Sequence, residues 1–185
     1  MPSIDVDFLT QLRVDIAQYP VFVEGGTYHG DTIFAMEPHF RELHTVEVNP
    51  KLYQHTKSNY DGAKIQFHCG DTVDVFPVLL EKLHQNIIFF LDSHWSRSMP
   101  DTSYGSKYVP LLEELDIIMR KCSNRCVVII DDYRLFGASH GGWNSIHKGD
   151  VMKIVSSRFI DDQILPSDCN IEDRWVIYLL PLEHS

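Results

Sequence analysis

The chain has 185 residues, of which 44% are hydrophobic and 23% are charged, and its formal net charge is −10 at pH 7. This length and composition are typical of a globular chain, so we expect residues 1–185 to form a single domain. The negative charge argues against a nucleic-acid partner, because phosphates bind basic surfaces, and it is compatible with a small-molecule substrate.

The sequence predicts neither a membrane span nor an exported protein. No apolar run approaches the roughly 20 residues that a transmembrane helix needs, and the N-terminus lacks the basic and then apolar layout of a signal peptide. The four cysteines show no zinc-ligand spacing. We therefore expect a reduced, cytoplasmic setting.

Strand-like apolar runs alternate with helix-like segments along the chain. Strands are predicted at residues 21–24, 44–48, 64–68, 87–91, 127–130, 159–165 and 175–180. Helices are predicted near residues 32–41, 51–60, 73–84, 109–120 and 146–157. This alternation predicts an α/β fold of three layers, in which a doubly wound, mostly parallel sheet carries helices on both faces. The last two strands, separated only by a loop, are expected to form an antiparallel pair at one edge.

The segment that follows the first predicted strand is the most informative one. The strand ends in Glu24, and three glycines, Gly25, Gly26 and Gly30, precede the next helical pattern. A strand, a glycine turn and a helix N-terminus form the usual cradle for a nucleotide-type cofactor. Glu24 stands where a phosphate would approach, and its carboxylate repels a pyrophosphate. The turn therefore favours S-adenosylmethionine, whose amino and sulfonium groups are both positive.

Five successive predicted strands each lead to an acid at the edge of the sheet where ligands bind in such folds. These acids are Glu24, Glu47, Asp71, Asp92 and the pair Asp131 and Asp132. Glu47 lies about 20 residues beyond the glycine turn, the distance at which an acid binds ribose hydroxyls. Asp71 fits either an adenine contact or a helix cap. Asp92, Asp131 and Asp132 fit a magnesium site, although Asp131 and Asp132 also fit a turn.

The ordered set of strand-end motifs resembles a known family. The motifs are residues 24–32, Glu47, Gly70-Asp71-Thr72, Leu91-Asp92-Ser93-His94, Leu112-Glu113-Glu114-Leu115 and Ile130-Asp131-Asp132-Tyr133-Arg134-Leu135-Phe136. Together they are similar to class I S-adenosylmethionine-dependent methyltransferases, in particular to bacterial enzymes linked with surface-polysaccharide synthesis and, more distantly, to macrocin-type sugar O-methyltransferases. The resemblance implies a Rossmann-like sheet of seven strands whose last strand is antiparallel.

The resemblance also implies a set of ligand contacts. It implies that Glu24, Gly26, Gly30 and Glu47 contact the cofactor and that Asp92, Asp131 and Asp132 match the magnesium-binding acids of such enzymes. From their positions in the same motifs, we also expect Gly25, Thr27, Thr32, Asp71 and Asp92 at the cofactor. The chain departs from many relatives at Gly25, where they carry another small or polar residue, and in the short segment before its first strand. We therefore expect the substrate to be covered by residues 93–107, by residues 136–144, or by a second subunit of a homodimer.

Methyl transfer is an in-line displacement in which the protein aligns an acceptor oxygen and removes its proton. His94 is the candidate general base, and Asp92 is the alternative if no metal binds. A magnesium ion would hold substrate oxygens and lower the pKa of the acceptor hydroxyl. Trp95, His140 and Trp143 are expected to line the pocket of the acceptor, a sugar or another small hydroxyl compound.

Two other functions stay open from the sequence. A nucleotide-sugar dehydrogenase or epimerase is disfavoured, because Thr27 stands where the Gly-x-Gly-x-x-Gly pattern needs its middle glycine. A non-catalytic scaffold or regulatory subunit would need Glu24 and Glu47 for the cofactor. It would have no need for the second group of acids after strands four and five.

Overall fold

The computed structural model describes residues 3–96, 99, 101–166 and 171–182. The strands are β1 (Val21–Gly25), β2 (Glu42–Glu47), β3 (Ile65–Cys69), β4 (Ile87–Leu91), β5 (Cys126–Ile130), β6 (Phe159–Pro166) and β7 (Glu172–Leu179). The α-helices are α1 (Val6–Thr10), α2 (Asp31–Met36), α3 (Pro50–Ser58), α4 (Thr72–Leu80), α5 (Leu111–Lys121) and α6 (Lys148–Val155). None of the helices in the described ranges is long and apolar enough to cross a membrane.

The seven strands form one sheet in the order β3-β2-β1-β4-β5-β7-β6. The pairs from β3 to β5 are parallel, whereas β7 runs antiparallel to both β5 and β6. This arrangement confirms the predicted mostly parallel sheet with an antiparallel last strand and an antiparallel pair at one edge. The chain order reverses between β1 and β4, and doubly wound sheets open a ligand crevice at such a point.

The central strands are apolar on both faces because the sheet is covered on both sides. In β4, Ile87 and Phe89 pack into one hydrophobic cluster, which includes residues of α4, α5 and α6. Ile88 and Phe90 pack into the other cluster, which includes residues of α1 and α2. The core therefore lies on both sides of the sheet and confirms the three layers.

The predicted helix at residues 32–41 is shorter than expected. The α-helix ends at Met36, and a 3-10 turn with a proline in its first positions follows at Glu37–His39. Proline lacks a backbone N–H and cannot continue the hydrogen-bond ladder of an α-helix. Helix α1, which the sequence analysis did not predict, precedes β1, and Phe8 and Leu9 on it are buried.

Candidate active site

A cavity of about 480 Å³ opens at the carboxyl ends of the strands. All six acids predicted at the strand ends lie in its wall, namely Glu24, Glu47, Asp71, Asp92, Asp131 and Asp132. Gly26, Thr27 and Thr32 from the glycine turn and α2 also line it. Parallel strands deliver their carboxyl ends to the same edge of a sheet, which explains why residues distant in sequence meet here.

The glycine turn has the backbone conformation that only glycine adopts easily. Gly26 has a φ of 90°, and Gly30, which precedes α2, has a φ of 84°. A Cβ atom on Gly26 would overlap the carbonyl oxygen of Asp92. The backbone N–H groups of Gly26 and Thr27 both donate to the Val46 carbonyl, at 3.0 and 3.2 Å. The turn thereby brings the ends of β1, β2 and β4 close together around the cavity.

Glu24 is a buried carboxyl at the end of β1, only 1% exposed. The Thr45 hydroxyl donates to Glu24 Oε2 at 2.5 Å, and the hydroxyl of Thr27 lies 2.5 Å from that of Thr45. Burial raises the pKa of Glu24 to about 8 despite the Thr45 hydrogen bond, and the charge of Glu47 adds to the rise. The hydrogen-bond donor to Glu24 is a neutral hydroxyl and the nearby charge of Glu47 is negative, so a positively charged ligand group beside Glu24 would stabilise its ionised form.

Glu47, at the end of β2, is oriented by two backbone amides. The N–H of Tyr28 donates to Oε2 at 2.8 Å, and the N–H of Asn49 donates to Oε1 at 2.8 Å. Burial raises the pKa of Glu47, and these two hydrogen bonds oppose the rise. Each carboxylate oxygen has further acceptor capacity, so Glu47 can accept hydrogen bonds from ligand hydroxyls that face the cavity.

Asp71 caps α4, as one of its two predicted roles required. Its Oδ1 accepts from the N–H of Val73 at 3.2 Å. Its Oδ2 accepts from the N–H of Ser106 at 2.5 Å, which ties the loop after β4 to this side of the cavity. The side-chain amide of Asn49 also donates to the carbonyl of Asp101 at 2.9 Å. With both oxygens in use, the adenine contact of Asp71 stays a prediction.

The loop predicted at residues 93–107 covers part of the cavity. Its lining residues in the described part are Ser93, His94, Ser96, Met99, Thr102, Ser103, Gly105 and Lys107. Residues 97, 98 and 100 lie outside the described part of the chain. The loop has the position expected of a substrate cover.

His94 bridges two of the predicted metal ligands. Its Nδ1 lies 3.3 Å from Asp92 Oδ1, and its Nε2 lies 2.8 Å from Asp132 Oδ2. Burial lowers the pKa of His94, but the hydrogen bond and charge of Asp132 outweigh it, and the pKa is raised overall. The raised pKa favours the imidazolium form, in which the two ring nitrogens donate to Asp92 and Asp132. It accepts a proton from an acceptor hydroxyl only after losing one of its own.

Two arginines pair with the remaining acids of this group. Arg134 Nη1 lies 2.6 Å from Asp132 Oδ1 and also contacts Asp173. Arg174 contacts Asp131 and lies 2.9 Å from Asp173 Oδ2. These guanidinium groups carry permanent positive charge. The acids predicted for a metal therefore already have cationic partners.

Asp92 completes the group. Burial, followed by the charges of Asp131 and Asp132, raises the pKa of Asp92 well above its usual value. Burial raises the pKa of Asp132 too, but His94 and the two arginines outweigh it and the pKa is lowered overall. The surroundings thus favour the protonated form of Asp92 and the ionised form of Asp132.

The donor set of this group has the chemistry of a hard-cation site. Single oxygens of Asp131, Asp132 and Asp173 all lie within 4.8 Å of one another, and carboxylate oxygens suit Mg²⁺. The sequence analysis missed Asp173 and Arg174, because it started the last strand at residue 175. Since β7 runs antiparallel, its first residues lie at the edge where the parallel strands end. The two charged residues just before the predicted strand were the available signal.

The three residues predicted at the acceptor do not line the cavity in this structure. Trp95 packs against Tyr104 and Tyr108, with ring centroids 6.1 and 5.0 Å away. Trp143 is 3% exposed and packs 5.3 Å from the His94 ring. His140 is exposed. Trp143 therefore supports His94 from behind, and the acceptor role of all three residues stays a prediction.

Comparison with known proteins gives matches among solved structures. No family model and no curated protein matches the sequence. A Listeria monocytogenes protein described as an S-adenosylmethionine-dependent methyltransferase matches with 8% identity and a TM-score of 0.60, over 95% of this chain and 96% of that chain. The N-methyltransferase NodS from Bradyrhizobium japonicum WM9, in complex with S-adenosyl-L-homocysteine, matches with 12% identity and a TM-score of 0.55, over 88% and 78%.

Human methyltransferase-like protein 13, solved with S-adenosylhomocysteine, matches with 11% identity and a TM-score of 0.57, over 92% of this chain and 75% of that chain. At these identities the likeness concerns the fold alone. The chain has the fold that these methyltransferases share.

Proposed function

We propose that the protein is a methyltransferase that uses S-adenosylmethionine. The observation that carries the proposal is the pair Glu24 and Glu47 in one wall of the cavity, beside the glycine turn. Among the described residues no cation pairs with Glu24, so this carboxyl group suits the ligand's α-ammonium group. Glu47, fixed by two backbone amides, suits the ribose hydroxyls. The shared fold of the matching methyltransferases adds to this support.

S-adenosylmethionine supplies an activated methyl group on a sulfonium, and the residues of this chain bind and orient it. The contacts of Asp71 and Asn49 hold the loop after β4 at the edge of the cavity. His94 and Asp92 lie in the cavity wall, and either would receive the acceptor proton only from its deprotonated form. The reaction proposed for these residues is alignment of a hydroxyl oxygen with the methyl carbon, followed by removal of its proton.

Calorimetry with S-adenosylhomocysteine tests this function directly. We expect the wild-type protein to bind it and the Glu47→Gln variant to bind about tenfold or more weakly, because the new amide group would face a backbone N–H. Glu81→Gln is the matched control, since Glu81 is exposed and pairs only with Lys121 on the surface. A folded wild-type protein that binds neither S-adenosylmethionine nor S-adenosylhomocysteine would contradict the proposal.

The acceptor we propose is a hydroxyl group of a sugar or another small molecule, with assistance from Mg²⁺ or a similar divalent ion. Asp92, Asp131 and Asp132 would hold the ion, with Asp173 beside them. The presence of Arg134 and Arg174 makes this step of the proposal the most demanding one, because the ion must share the carboxylates with two guanidinium groups.

Titration of MgCl₂ into the complex with S-adenosylhomocysteine tests the metal. We expect binding in the wild type and loss of binding in Asp132→Asn. If the wild-type complex binds no Mg²⁺, or binds it equally well in the variant, the metal role of these acids is wrong.

Other methyl acceptors and other functions receive less support. NodS is an N-methyltransferase and another matching structure is an rRNA methylase from Streptococcus thermophilus, but a net charge of −10 disfavours RNA. The Tyr-x-x-x-Lys spacing of such dehydrogenases occurs at Tyr53 and Lys57 and again at Tyr60 and Lys64. Tyr53 and Lys57 form an exposed pair on α3, and none of the four residues lines the cavity. A scaffold would have no use for the acids around His94.

A homodimer also stays a proposal. Light scattering on the purified protein measures its mass in solution. A monomer would leave residues 93–107 and residues 136–144 as the segments that can cover the substrate.

A further inference from the structure

Glu114 is a buried carboxyl that no step of the proposed reaction uses. It lies in the first turn of α5 and is 1% exposed. The hydroxyl of Thr72 donates to Glu114 Oε1 at 2.6 Å. A carboxyl group in the interior costs free energy unless its hydrogen bonds compensate, so its neighbours indicate what it does there.

The neighbours of Glu114 form the inner wall of the cavity. Thr72 and Ser93 both line the cavity, and they follow β3 and β4. Gly25, at the end of β1, lies between them: a Cβ atom on it would overlap Ser93 Oγ, and it would be 3.2 Å from Thr72 Cγ2 and 3.4 Å from Glu114 Oε1. Glu114 therefore lies directly behind three segments that come from three different strands.

The same contacts explain why the chain has a glycine at position 25. In this chain Ser93 and Glu114 occupy the space that a side chain at position 25 would need. The space that a side chain would take at the end of β1 is thus filled by a carboxyl group from α5 and a hydroxyl from the loop after β4.

The Ser93 hydroxyl has unused hydrogen-bonding capacity. It is buried and has no partner within hydrogen-bond geometry among the described residues. Burial raises the pKa of Glu114 to about 7, and the hydrogen bond from Thr72 opposes the rise. Ser93 Oγ and Glu114 Oε1 both lie within 3.4 Å of the position that a Cβ atom on Gly25 would take, so the hydroxyl and the carboxyl group are neighbours. A buried hydroxyl without a partner, in the wall of a cavity, is suited to a ligand that occupies the cavity.

We propose that Glu114 is a positioning residue for the cofactor, which fixes the hydroxyls of Thr72 and Ser93 so that they contact it from the inner wall. The inference rests on the proposed function, because the ligand concerned is S-adenosylmethionine or its product. The bond from Thr72 fixes one hydroxyl. The carboxyl group of Glu114 lies beside the other, the buried hydroxyl of Ser93, which has no partner among the described residues.

The test is the affinity for S-adenosylhomocysteine, measured by calorimetry in Glu114→Gln and in Asp116→Asn. Asp116 lies on the same helix, is exposed and pairs with Arg120, so its variant controls for the loss of a charge on α5. We expect Glu114→Gln to bind about tenfold more weakly, the effect of one hydrogen bond to a charged group, and Asp116→Asn to bind like the wild type. The unfolding temperature of the ligand-free Glu114→Gln protein should not fall, since an amide is easier to bury than a carboxylate.

A double-mutant cycle with Ser93→Ala separates positioning from a structural role. We expect Ser93→Ala alone to weaken binding about tenfold. In the Glu114→Gln background it should weaken binding much less, because both changes disrupt the same contact between the Ser93 hydroxyl and the ligand. Thr72→Val, which keeps the shape of the side chain, replaces Glu114→Gln if that variant does not fold. Wild-type affinity in a folded Glu114→Gln protein, or fully additive effects in the cycle, would overturn the inference. Absence of binding in the wild type would instead contradict the proposed function.

Discussion

The two groups of acids in the cavity are neutralised in different ways. Glu24 and Glu47 have hydroxyl and backbone N–H partners, which carry no net charge. Asp131, Asp132 and Asp173 have Arg134, Arg174 and His94 as partners. The first group therefore depends on a ligand for its positive charge, whereas the second group brings its own.

This difference predicts different responses to mutation. Removal of a cation from the second group should damage the folded protein itself, because buried carboxylates would lose their compensation. Removal of a charge from the first group should leave the folded protein intact and damage ligand binding. Binding sites commonly show such an exchange of stability for function.

Arg174→Met should give the largest effect. Arg174 is 7% exposed and contacts Asp131 and Asp173, so the variant leaves two buried acids with fewer cations. We expect the free energy of unfolding to fall by about 3–5 kcal/mol, as measured by urea denaturation at pH 7.

Arg120→Met is the control for Arg174→Met, because Arg120 forms an exposed pair with Asp116 within α5. An exposed pair of this kind contributes about 0.3–0.5 kcal/mol. Equal losses in both variants would show that the acids of the cluster do not need Arg174.

Glu24→Gln should give the opposite pattern. Because the pKa of Glu24 is about 8, the residue is largely neutral at pH 7 in the free protein, and a neutral amide should preserve the free energy of unfolding. Binding of S-adenosylhomocysteine should weaken about 10- to 100-fold, since its ammonium group loses a charged partner. Calorimetry and thermal unfolding on the same samples provide both values. A destabilised Glu24→Gln variant with unchanged affinity would contradict this expectation, because Glu24 would then contribute to stability and not to ligand binding.

The sequence predicted the first group of acids better than the second. The features that predicted it are local in sequence: the apolar runs, the glycine turn and the spacing to Glu47. They were enough to predict the parallel strands and the edge of the sheet at which the cavity lies. The partners of the second group come from the turn after β5 and from the start of β7. Asp173 and Arg174 lie at this edge of the sheet because β7 runs antiparallel, and Arg174 thereby contacts Asp131.

The acceptor residues show the same limit. A tryptophan beside an active-site motif suits both a binding platform and a packing position. In the structure Trp95 packs against Tyr104 and Tyr108, and Trp143 packs against Phe136. Loop conformation decides between these roles, and the sequence pattern carries little information about it.

Arg134→Gln should have a smaller effect than Arg174→Met. The Arg134 side chain is 44% exposed, so water compensates part of its loss, and we expect about 1 kcal/mol of destabilisation. Asp132 and Asp173 would then have one cation fewer. MgCl₂ should therefore raise the unfolding temperature of the variant more than that of the wild type. An equal shift in both proteins would mean that Arg134 does not compete with a divalent ion.

Proton release on ligand binding is the smallest of the expected effects. It distinguishes the two groups of acids most directly, because it reports the charge state of Glu24. Burial raises the pKa of Glu24 to about 8 in the free protein, and a bound ammonium group would lower it. Between these two pKa values, binding of S-adenosylhomocysteine therefore releases up to one proton, and the affinity rises with pH until about 8. At pH 7 the apparent binding enthalpy should differ between phosphate and Tris buffers, because they take up the proton with different enthalpies.

The Glu24→Gln variant identifies the source of that proton. The pKa of Glu114 is about 7, so it also titrates near this pH, but no ligand charge is proposed beside it. The variant should therefore bind with the same enthalpy in both buffers and with an affinity that no longer rises towards pH 8. Equal enthalpies in the wild type would mean that Glu24 keeps its proton in the complex. In that case a neutral hydrogen bond, and not charge pairing, would connect this acid to its ligand.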